Sequence, residues 1–595
     1  MKKIISVLLV LNIALLGFTF YEEYNLYFGN LHSHTEYSDG VETPETALEY
    51  ANDFIDFMAI TDHAHYFSQE LPNGKNKYDS IIDECKTLTT GTFLGIPGFE
   101  WTASGPGHIN FYDVRTYTDR NIDPNLVSLY EWVNANKPIG QFNHPISMFG
   151  NFDDCKYYPY VDKYMNLFEI GNGNWYQNQT VSEEMLENFA LALNNGWHVG
   201  TTIGQDNHKA NWGSANDSRT AIYSKSLAAE DIYHSMKNML TYGTEDKNLI
   251  LKFWANDEPA GSIIYDPFLV KFNIELIETP DDKIETVYIY DKNGIYDEIH
   301  VDSNEFKYNF EIEPESGYEF YYLIIKECDG ERAVSTPIWF QSSNKTYLLN
   351  LKAYPKSVKS GEFTKLFFDL VNMNTEEKIL NLSIKSDTEK TILSKDYNLK
   401  GESISYESIE IPVNEEKMLL YIDDIFYSEI KIKIMSEDSL NIIIDKTHYN
   451  YGEDYRARFI DEMSNKGNQV SYLEKMIKKD SLDKANVFII PLPGEEGTFD
   501  KMKMLHTMHY PILETFIKSG GTLIMIGNPA QKTEEIVQSY NDFLINIGVE
   551  DTFDESGKML NSGNSEYIQK IEGGKIILLA DEDDTKLIGI LNKKW

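Results

Sequence analysis

Cysteine is nearly absent: Cys85, Cys155 and Cys328 are the three thiols in 595 residues, far apart and without a CxxC pair. That usage argues against a disulfide framework and against a thiolate zinc site, and leaves room for one bridge at most. Basic residues are also scarce, 53 against 94 acidic ones, for a formal net charge of −41. So negative a chain repels phosphate backbones and anionic lipid, and no nucleic-acid partner is expected. The acids are spread along the sequence, as on a solvated surface. Beyond residue 20 no apolar run reaches the ~18 residues of a membrane-spanning helix, so no later span is expected. Internal repeats and low-complexity tracts are missing too.

What is present is an ordinary folded composition, 42% hydrophobic and 25% charged. A chain of 595 residues is too long for a single core, so several domains are expected. Aromatic residues reach 13%, with 39 Tyr, which fits β-rich domains or sugar-facing surfaces. At the start, Lys2 and Lys3 precede an apolar run from Ile4 to Phe20 broken by Ser6, Asn12, Gly17 and Thr19. A charged segment followed by an apolar one is the pattern of a secretory signal, so a secreted or cell-surface protein is expected. The flank Gly-Phe-Thr-Phe-Tyr-Glu-Glu has no small-x-small cleavage site, which keeps an uncleaved membrane anchor as the alternative. No Cys follows the run, which excludes a lipoprotein anchor.

From residue 21 to 247, strand-like runs such as Phe57–Ile60, Pro138–Phe142, Asn166–Ile170 and His198–Ile203 alternate with amphipathic stretches at Pro44–Phe54, Tyr78–Leu88 and Val181–Asn194. Repeated βα units predict a parallel sheet, open or closed into a barrel. Residues 248–345 switch to period-two alternation with Lys292-Asn-Gly and Cys328-Asp-Gly turns, which predicts a β-sandwich; 346–436 reads as a second one. From 437 to 595 the α/β pattern returns, with strands at Leu440–Ile444, Val487–Ile490, Gly520–Ile526 and Lys575–Leu579.

Eight of the thirteen histidines precede residue 210. Most of them fall in short motifs at or near the C-terminal ends of the expected strands, where parallel sheets build their sites. The first is Gly29-Asn-Leu-His32-Ser-His34-Thr-Glu-Tyr-Ser-Asp39-Gly. In a strand, residues two apart share a face, so His32 and His34 can grip one ion. Thr61-Asp62-His63, Gly98-Phe-Glu100, Gly107-His108, Asn143-His144-Pro145 and Gly204-Gln-Asp206-Asn-His208 follow. A lone histidine near a strand is usually a hydrogen-bonded bystander. Nine candidate ligands in six strand-end motifs are different, because burying that many ionisable groups without a cation is very costly. Imidazoles with carboxylates suit zinc, manganese or iron, and the lack of thiolates argues against a purely structural site.

The ordered set HxH–SDG, TDH, GxE, H, HP and DxH resembles the PHP (polymerase and histidinol phosphatase) superfamily, and its opening is most similar to the CehA/McbA-like, carbaryl-hydrolase-type branch. The resemblance spans about residues 25 to 260. It implies a distorted (β/α)7 barrel with two or three divalent metal ions (Zn, Mn or Fe). It further implies one metal on His32, His34, Glu100 and Asp206, with Glu100 bridging to a second that adds His108 and His144. A third would take Asp39, His63 and His208. His108 falls in a segment that varies in the family, and His65 is a weak substitute. The activity implied is ester hydrolysis by a metal-bridging hydroxide, with a phosphoester as the first substrate class and a carboxylic or carbamic ester as the alternative. A non-catalytic surface-binding protein is the reading from another class. The expected substrate is a small molecule or an ester on a surface polymer.

Among neighbouring residues, Asp62 is a candidate to orient a ligand or relay a proton, and Arg219 to clamp a substrate oxyanion, each weighed against a purely structural role. Lys209 also follows the last motif. Trp101, Trp175, Tyr176 and Trp212 are candidate pocket walls. The C-terminal segment looks like the glutamine-amidotransferase-like fold, but no Cys follows Cys328, which rules out thiol chemistry there. His506 and His509 read as a solvated helix face, and the C-terminal domains as binders of carbohydrate or protein.

Overall fold

The computed structural model describes residues 20–173, 179–280, 282–314, 317–436, 439–448, 457–474, 476–493, 504–527, 534–554, 558–560, 566–571, 573–580 and 584–592. The expected signal or anchor at 1–20 thus lies outside the described residues except for its last position. Among the described residues no helix is long and apolar enough to cross a membrane. The chain divides into two compact units: Met1–Asn350 with Asp369–Leu380 and Tyr397–Tyr406, and Leu351–Phe368 with Asn381–Asp396 and Glu407–Trp595.

The site-bearing part of the first unit uses nine strands: β1 (Asn25–Asn30), β2 (Phe57–Ile60), β3 (Leu94–Ala103), β4 (Gly107–Tyr112), β5 (Ile139–Asn143), β6 (Met165–Asn172), β7 (Gly200–Gly204), β8 (Arg219–Ser224) and β9 (Thr241–Thr244). Their order is β9-β8-β1-β2-β3-β4-β5-β6-β7. The sheet curls until β7 meets β8. There Thr220 Oγ1 accepts from Ile203 N at 3.1 Å and donates to Ile203 O at 3.0 Å, so a hydroxyl closes the ring. Phe57, Ala59, Leu94, Ile96, Ile139, Leu167 and Ile222 fill the core. Each of these Phe, Leu and Ile side chains contributes ~1.5–3 kcal/mol on burial, the Ala59 methyl less. Helices α1 (Pro44–Ala51), α2 (Lys77–Leu88), α3 (Leu126–Asn136), α4 (Glu183–Asn195) and α5 (Ala229–Lys237) connect the strands. Thr43, Asn76 and Asn125 cap the first three, each accepting a backbone N–H of the first turn.

The expected run of parallel βα units is interrupted. β1–β2–β3 and β5–β6–β7 are parallel, but β4 is antiparallel to both neighbours and β8 is antiparallel to β1. The cause is local: Gly105-Pro106-Gly107 turns the chain with φ of 96° at Gly105 and 120° at Gly107. A turn that short can join only antiparallel strands.

The expected boundary at 247/248 is not a break. Arg332–Ser335 pairs with β9 (Ala333 opposite Thr244), so the first β region continues the barrel sheet. One core takes Ala221, Tyr223 and Tyr242 together with Phe253, Phe272 and Ile325. A neighbouring strand thereby covers an edge that would otherwise stand open.

In the second unit, antiparallel pairing of Lys417–Ile422 with Leu382–Ser386 and with Ile425–Lys431 carries the alternation expected of a β domain. A six-stranded sheet follows, in the order Gln469–Leu473, Asn441–Asp445, Val487–Pro491, Thr522–Ile526, Gly574–Leu579, Glu566–Ile571. Its first five strands are parallel and the last runs against its neighbour. All three cysteines are free, Cys85 and Cys155 buried and Cys328 exposed.

Candidate metal centre

The strand ends deliver the side chains. β1 runs into Leu31–Thr35, where Ser33 bridges Asn207 and His34 N donates to Asn207 O at 2.9 Å. His63 bridges Glu100 in the same way just beyond β2. His144 follows β5 directly and Asp206 follows β7 after Gln205, both in left-handed backbone, with φ of 24° and 48°. Non-glycine residues held there are strained by roughly 1–3 kcal/mol each, and such strain collects at functional sites.

All nine candidate ligands meet. Glu100 lies at the centre, buried, with Oε1 3.4 Å from His32 Nε2, 3.3 Å from His108 Nδ1 and 3.6 Å from His144 Nε2, and Oε2 2.5 Å from His63 Nδ1. Asp206 Oδ1 lies 3.0 Å from His34 Nε2, 3.4 Å from His32 Nε2 and 3.5 Å from His208 Nδ1. Asp39 Oδ1 faces His63 Nε2 at 3.4 Å and His208 Nε2 at 3.3 Å. Three overlapping groups have donor atoms within 4.8 Å of one another: His34, Asp39, His63 and His208; His32, His34 and Asp206; His32, Glu100 and His144. Asp39 and His208 are the most exposed members and mark the open side.

The buried partners fix tautomers. Glu169, missed in the sequence, takes His32 Nδ1 on Oε1 at 2.9 Å. With that proton committed, a neutral His32 presents a lone pair on Nε2. That lone pair faces Glu100, Asp206 and, at 3.2 Å, the Nε2 of His34. Nucleophilic atoms converging on one point demand a positive charge between them. Four ligands at ~2.1 Å around a tetrahedral ion would stand about 3.4 Å apart, the spacing seen here. Two further signs agree. Asp206 Oδ1 and His108 Nδ1 are sealed from solvent without a hydrogen-bond partner among the described residues. His34 Nε2 approaches Asp206 Oδ1 closely but off the angles a hydrogen bond needs. The residues present therefore fit divalent cations.

Electrostatics point the same way. Burial works against the charged form of His32, yet Asp206 and Glu169 hold its pKa well above the usual imidazole range. His63 is raised to about 10, burial again being outweighed by Glu100 and Asp39. Burial opposes ionisation of Glu100, but His108 and His63 hold it well below the carboxylate range. Burial and the His63 charge push His34 down. The carboxylates stay ionised and the imidazoles compete for positive charge.

The supporting residues have clear tasks. Asp62 is fully buried and grips the loop before Asp39: Oδ1 accepts from Thr35 N at 2.8 Å and Ser38 Oγ at 2.5 Å, Oδ2 from Thr35 Oγ1 at 2.6 Å. Ser38 Oγ lies 3.4 Å from His34 Nδ1, so Asp62 reaches a candidate ligand only through that hydroxyl. Arg219 departs from the expected oxyanion clamp. Its guanidinium donates to the carbonyls of Asn216, Ser218 and Gly213 at 2.8, 2.7 and 2.7 Å and is buried, because the 213–218 turn folds over it. Trp101 and Trp212 are not pocket walls: both are fully buried, with indole N–H groups on Asp123 O and His34 O. Trp175 and Tyr176 lie outside the described residues. Lys209 is exposed, and His65 stands beside His63 with ring centroids 5.5 Å apart. Phe149 packs on His144 and His108, 4.6 and 5.3 Å between centroids, and lines the approach.

In the C-terminal sheet, His509 is buried rather than on a solvated face, 5.6 Å from the His448 ring; His448 Nδ1 in turn meets Asp445 at 2.5 Å. His506 stays at the surface, 6.1 Å from His509.

No protein-family model matches the chain, and no curated protein matches it. Among solved structures it is similar to a two-domain protein from Bacteroides vulgatus containing a predicted PHP-like metal-dependent phosphoesterase: 15% identity, 51% of this chain, 91% of that chain, TM-score 0.32. It is also similar to fibronectin(III)-like modules of Clostridium thermocellum CbhA: 16% identity, 30% of this chain, 90% of that one, TM-score 0.13. A third is a GH2 beta-galacturonidase from Eisenbergiella tayi: 11% identity, 47% of this chain, 61% of that one, TM-score 0.17. Likenesses this distant carry no weight beside the side-chain geometry.

Proposed function

We propose that this chain is a metal-dependent hydrolase of the PHP type that cleaves a phosphoester outside the cytoplasm. One observation carries the reading: Glu100 is buried between His32, His63, His108 and His144, with Asp206 closing the group and, among the described residues, no Lys or Arg in the ion pairs of these six residues. The order of the motifs supports the PHP type and the phosphoester. The charged apolar start of the sequence supports export.

His32, His34, Glu100 and Asp206 would hold one ion, His108 and His144 with Glu100 a second, and Asp39, His63 and His208 a third. Zinc, manganese and iron suit this imidazole–carboxylate set. Bound divalent ions supply Lewis acidity, which acidifies water and offsets charge on the ester oxygens. The chain's own contribution is placement. Glu169 aims His32, and Asp62 with Ser38 positions the loop that carries Asp39. Glu169 Oε2 and the His32 carbonyl hold the backbone N–H groups of His144 and Asp206. Substrate enters past Phe149 and the Asp39–His208 side.

The test is an assay of the purified protein, with bound metal measured, on p-nitrophenyl phosphate, bis-p-nitrophenyl phosphate and nitrophenyl carboxylic esters. Phosphoester turnover is expected, abolished by chelator, by His34→Ala and by Asp206→Asn. Turnover of carboxylic esters alone would move the substrate class. A metal-replete protein inert on the whole panel would refute the catalytic reading.

A further inference from the structure

A second set of acids gathers where β9 leaves the barrel, far in sequence from the imidazoles. Glu245 is satisfied, its oxygens accepting from Val181 N at 2.7 Å and Arg332 N at 2.8 Å. Asp246, next along, belongs to two groups whose carboxylate oxygens lie within 4.8 Å of one another: one with Glu278 and Asp282, the other with Glu327 and Glu331. These acids stand at strand ends. Glu278 follows Val270–Ile277 and Asp282 precedes Ile284–Asp291, while Glu327 ends Tyr318–Glu327 and Glu331 precedes Arg332–Ser335. Local hydrogen bonds set their aim. Thr279 N donates to Glu278 Oε2 at 3.0 Å and Thr279 Oγ1 to Asp282 Oδ2 at 3.1 Å, and Asn248 N fixes Asp246 Oδ1 at 2.5 Å.

The cluster alone would mean little, since acids are common in this chain. The independent observation is Glu327. It is 1% exposed, and neither of its carboxylate oxygens has a hydrogen-bond partner among the described residues. Glu278, 5% exposed, leaves Oε1 equally unmatched. Among the described residues no ion pair reaches Asp246, Glu278, Asp282 or Glu327. The cations adjacent in sequence are engaged elsewhere: Lys247 with Asp217, Lys283 with Asp302 and Lys326 with Glu285 at 2.9, 2.9 and 2.8 Å, and Arg332 with Glu183 at 2.5 Å. A dry carboxylate without a donor, crowded by four others, is among the costliest arrangements a fold can hold unless a cation joins it.

We infer that Asp246, Glu278, Asp282, Glu327 and Glu331 form a site for a hard divalent cation, Ca2+, that pins the turn at 328–331 and the strand-flanking residues Glu278 and Asp282 to the end of β9. The donor set is oxygen only, without the imidazole or thiolate that favours zinc. An irregular carboxylate-rich cage suits Ca2+, whereas Mg2+ demands a near-ideal octahedron and keeps its waters. The competing occupant is a proton. Burial and the neighbouring acids Glu278 and Asp246 push the Glu327 carboxyl up to about 9, and burial with Asp246 pushes Glu278 to about 7.

Flow dialysis of the full-length protein against radioactive Ca2+ decides between them. Saturable binding in the micromolar-to-millimolar range is expected, weakened at least ~10-fold by Glu327→Gln and by Asp282→Asn. His34→Ala, in the imidazole site, should bind Ca2+ as the parent does, so failure of the catalytic reading would leave this site standing. Glu327→Gln removes a crowded charge, so in Ca2+-free buffer it should melt no lower than the parent. Millimolar Ca2+ should raise the Tm of the parent and not of Glu327→Gln. No saturable binding by the parent, or binding indifferent to both substitutions, would overturn the site and leave a proton-sharing acid cluster.

Discussion

Replacing Glu169 by Gln tests whether the metal centre depends on a residue that would touch no metal. Each carboxylate oxygen of Glu169 accepts two donors: Oε1 from His32 Nδ1 at 2.9 Å and Gln141 Nε2 at 3.3 Å, Oε2 from His144 N at 2.8 Å and Asn172 Nδ2 at 3.0 Å. A glutamine keeps the shape but turns one oxygen into an NH2 group, which then points at two donors whichever way the amide is flipped. A buried donor left unmatched costs ~1–3 kcal/mol, so two should lower stability by about 2–6 kcal/mol. If the amide faces His32, the ring can rotate or change tautomer and take its Nε2 lone pair out of the centre; if it faces His144, the strained backbone loses its anchor. Either way the affinity for metal should fall about 10- to 100-fold, the usual effect of losing the partner that orients a ligand. The assay is competition with a chromophoric chelator, with bound metal counted by mass spectrometry and folding checked by thermal melting. A variant that melts several degrees lower yet holds its metals within about 2-fold of the parent would refute the claim that Glu169 aims the ligands.

Gly204→Ala attacks the same point sterically: a Cβ there would stand 2.1 Å from Glu169 Oε1 and 2.8 Å from His32 Cβ, so loss of most bound metal is expected, read by elemental analysis of the purified variant. Arg219→Lys should lower stability by about 2–4 kcal/mol, because one ammonium nitrogen cannot stand where both Nη1, on the Asn216 and Ser218 carbonyls, and Nη2, on the Gly213 carbonyl, now stand, while kcat/KM of the folded enzyme stays within about 2-fold. A thousandfold loss of kcat without loss of stability would restore the oxyanion clamp instead. His509 is buried without a hydrogen bond to either ring nitrogen among the described residues, and burial, His448 and His506 push its pKa from 6.5 to about 4. The unfolded chain therefore binds the extra proton between those values, stability falls as pH drops from 6.5 to about 4, and denaturant titrations should show a smaller fall in His509→Asn.

The site was legible in sequence to the extent that its residues are imidazoles and acids at strand ends. The His32–His34 pair shares a face because strands alternate, and His144 and Asp206 follow small or apolar runs as strand-end residues do, whereas Glu100, expected at a strand end, stands inside β3, which runs on to Ala103. Glu169 was not legible as a functional residue, since it stands inside an apolar strand that reads as core; an ionisable residue at that position is itself the signal. The β3–β4 hairpin was hidden for a different reason. Gly105-Pro106-Gly107 announces a turn, but the spacing around it does not say whether the next strand runs back beside its neighbour or crosses a helix. The boundary expected at 247 failed because alternation reports one strand at a time, while the pairing of Arg332–Ser335 with β9 is a contact between distant residues. The acid cluster escaped notice because 94 acidic residues mask any five of them until the fold buries Glu327.

The left-handed backbone at Asp206 decides which substitution there is informative. With φ at 48°, the position favours Gly, which has no Cβ, and Asn and Asp, whose short polar side chains tolerate that region. Asp206→Ala would remove the charge and add backbone strain together, so its failure could be charged to either. Asp206→Asn keeps the shape, the φ tolerance and the backbone N–H donated to the His32 carbonyl at 2.9 Å, while it removes the negative charge that His32 and His34 face and turns one ligand oxygen into an NH2 group. If cation binding is what joins these residues, the asparagine variant should fold as well as the parent, melt no lower in chelator, and lose both metal and turnover. Retention of both would mean that the carboxylate serves the backbone and that the ion, if one is present, is held without it.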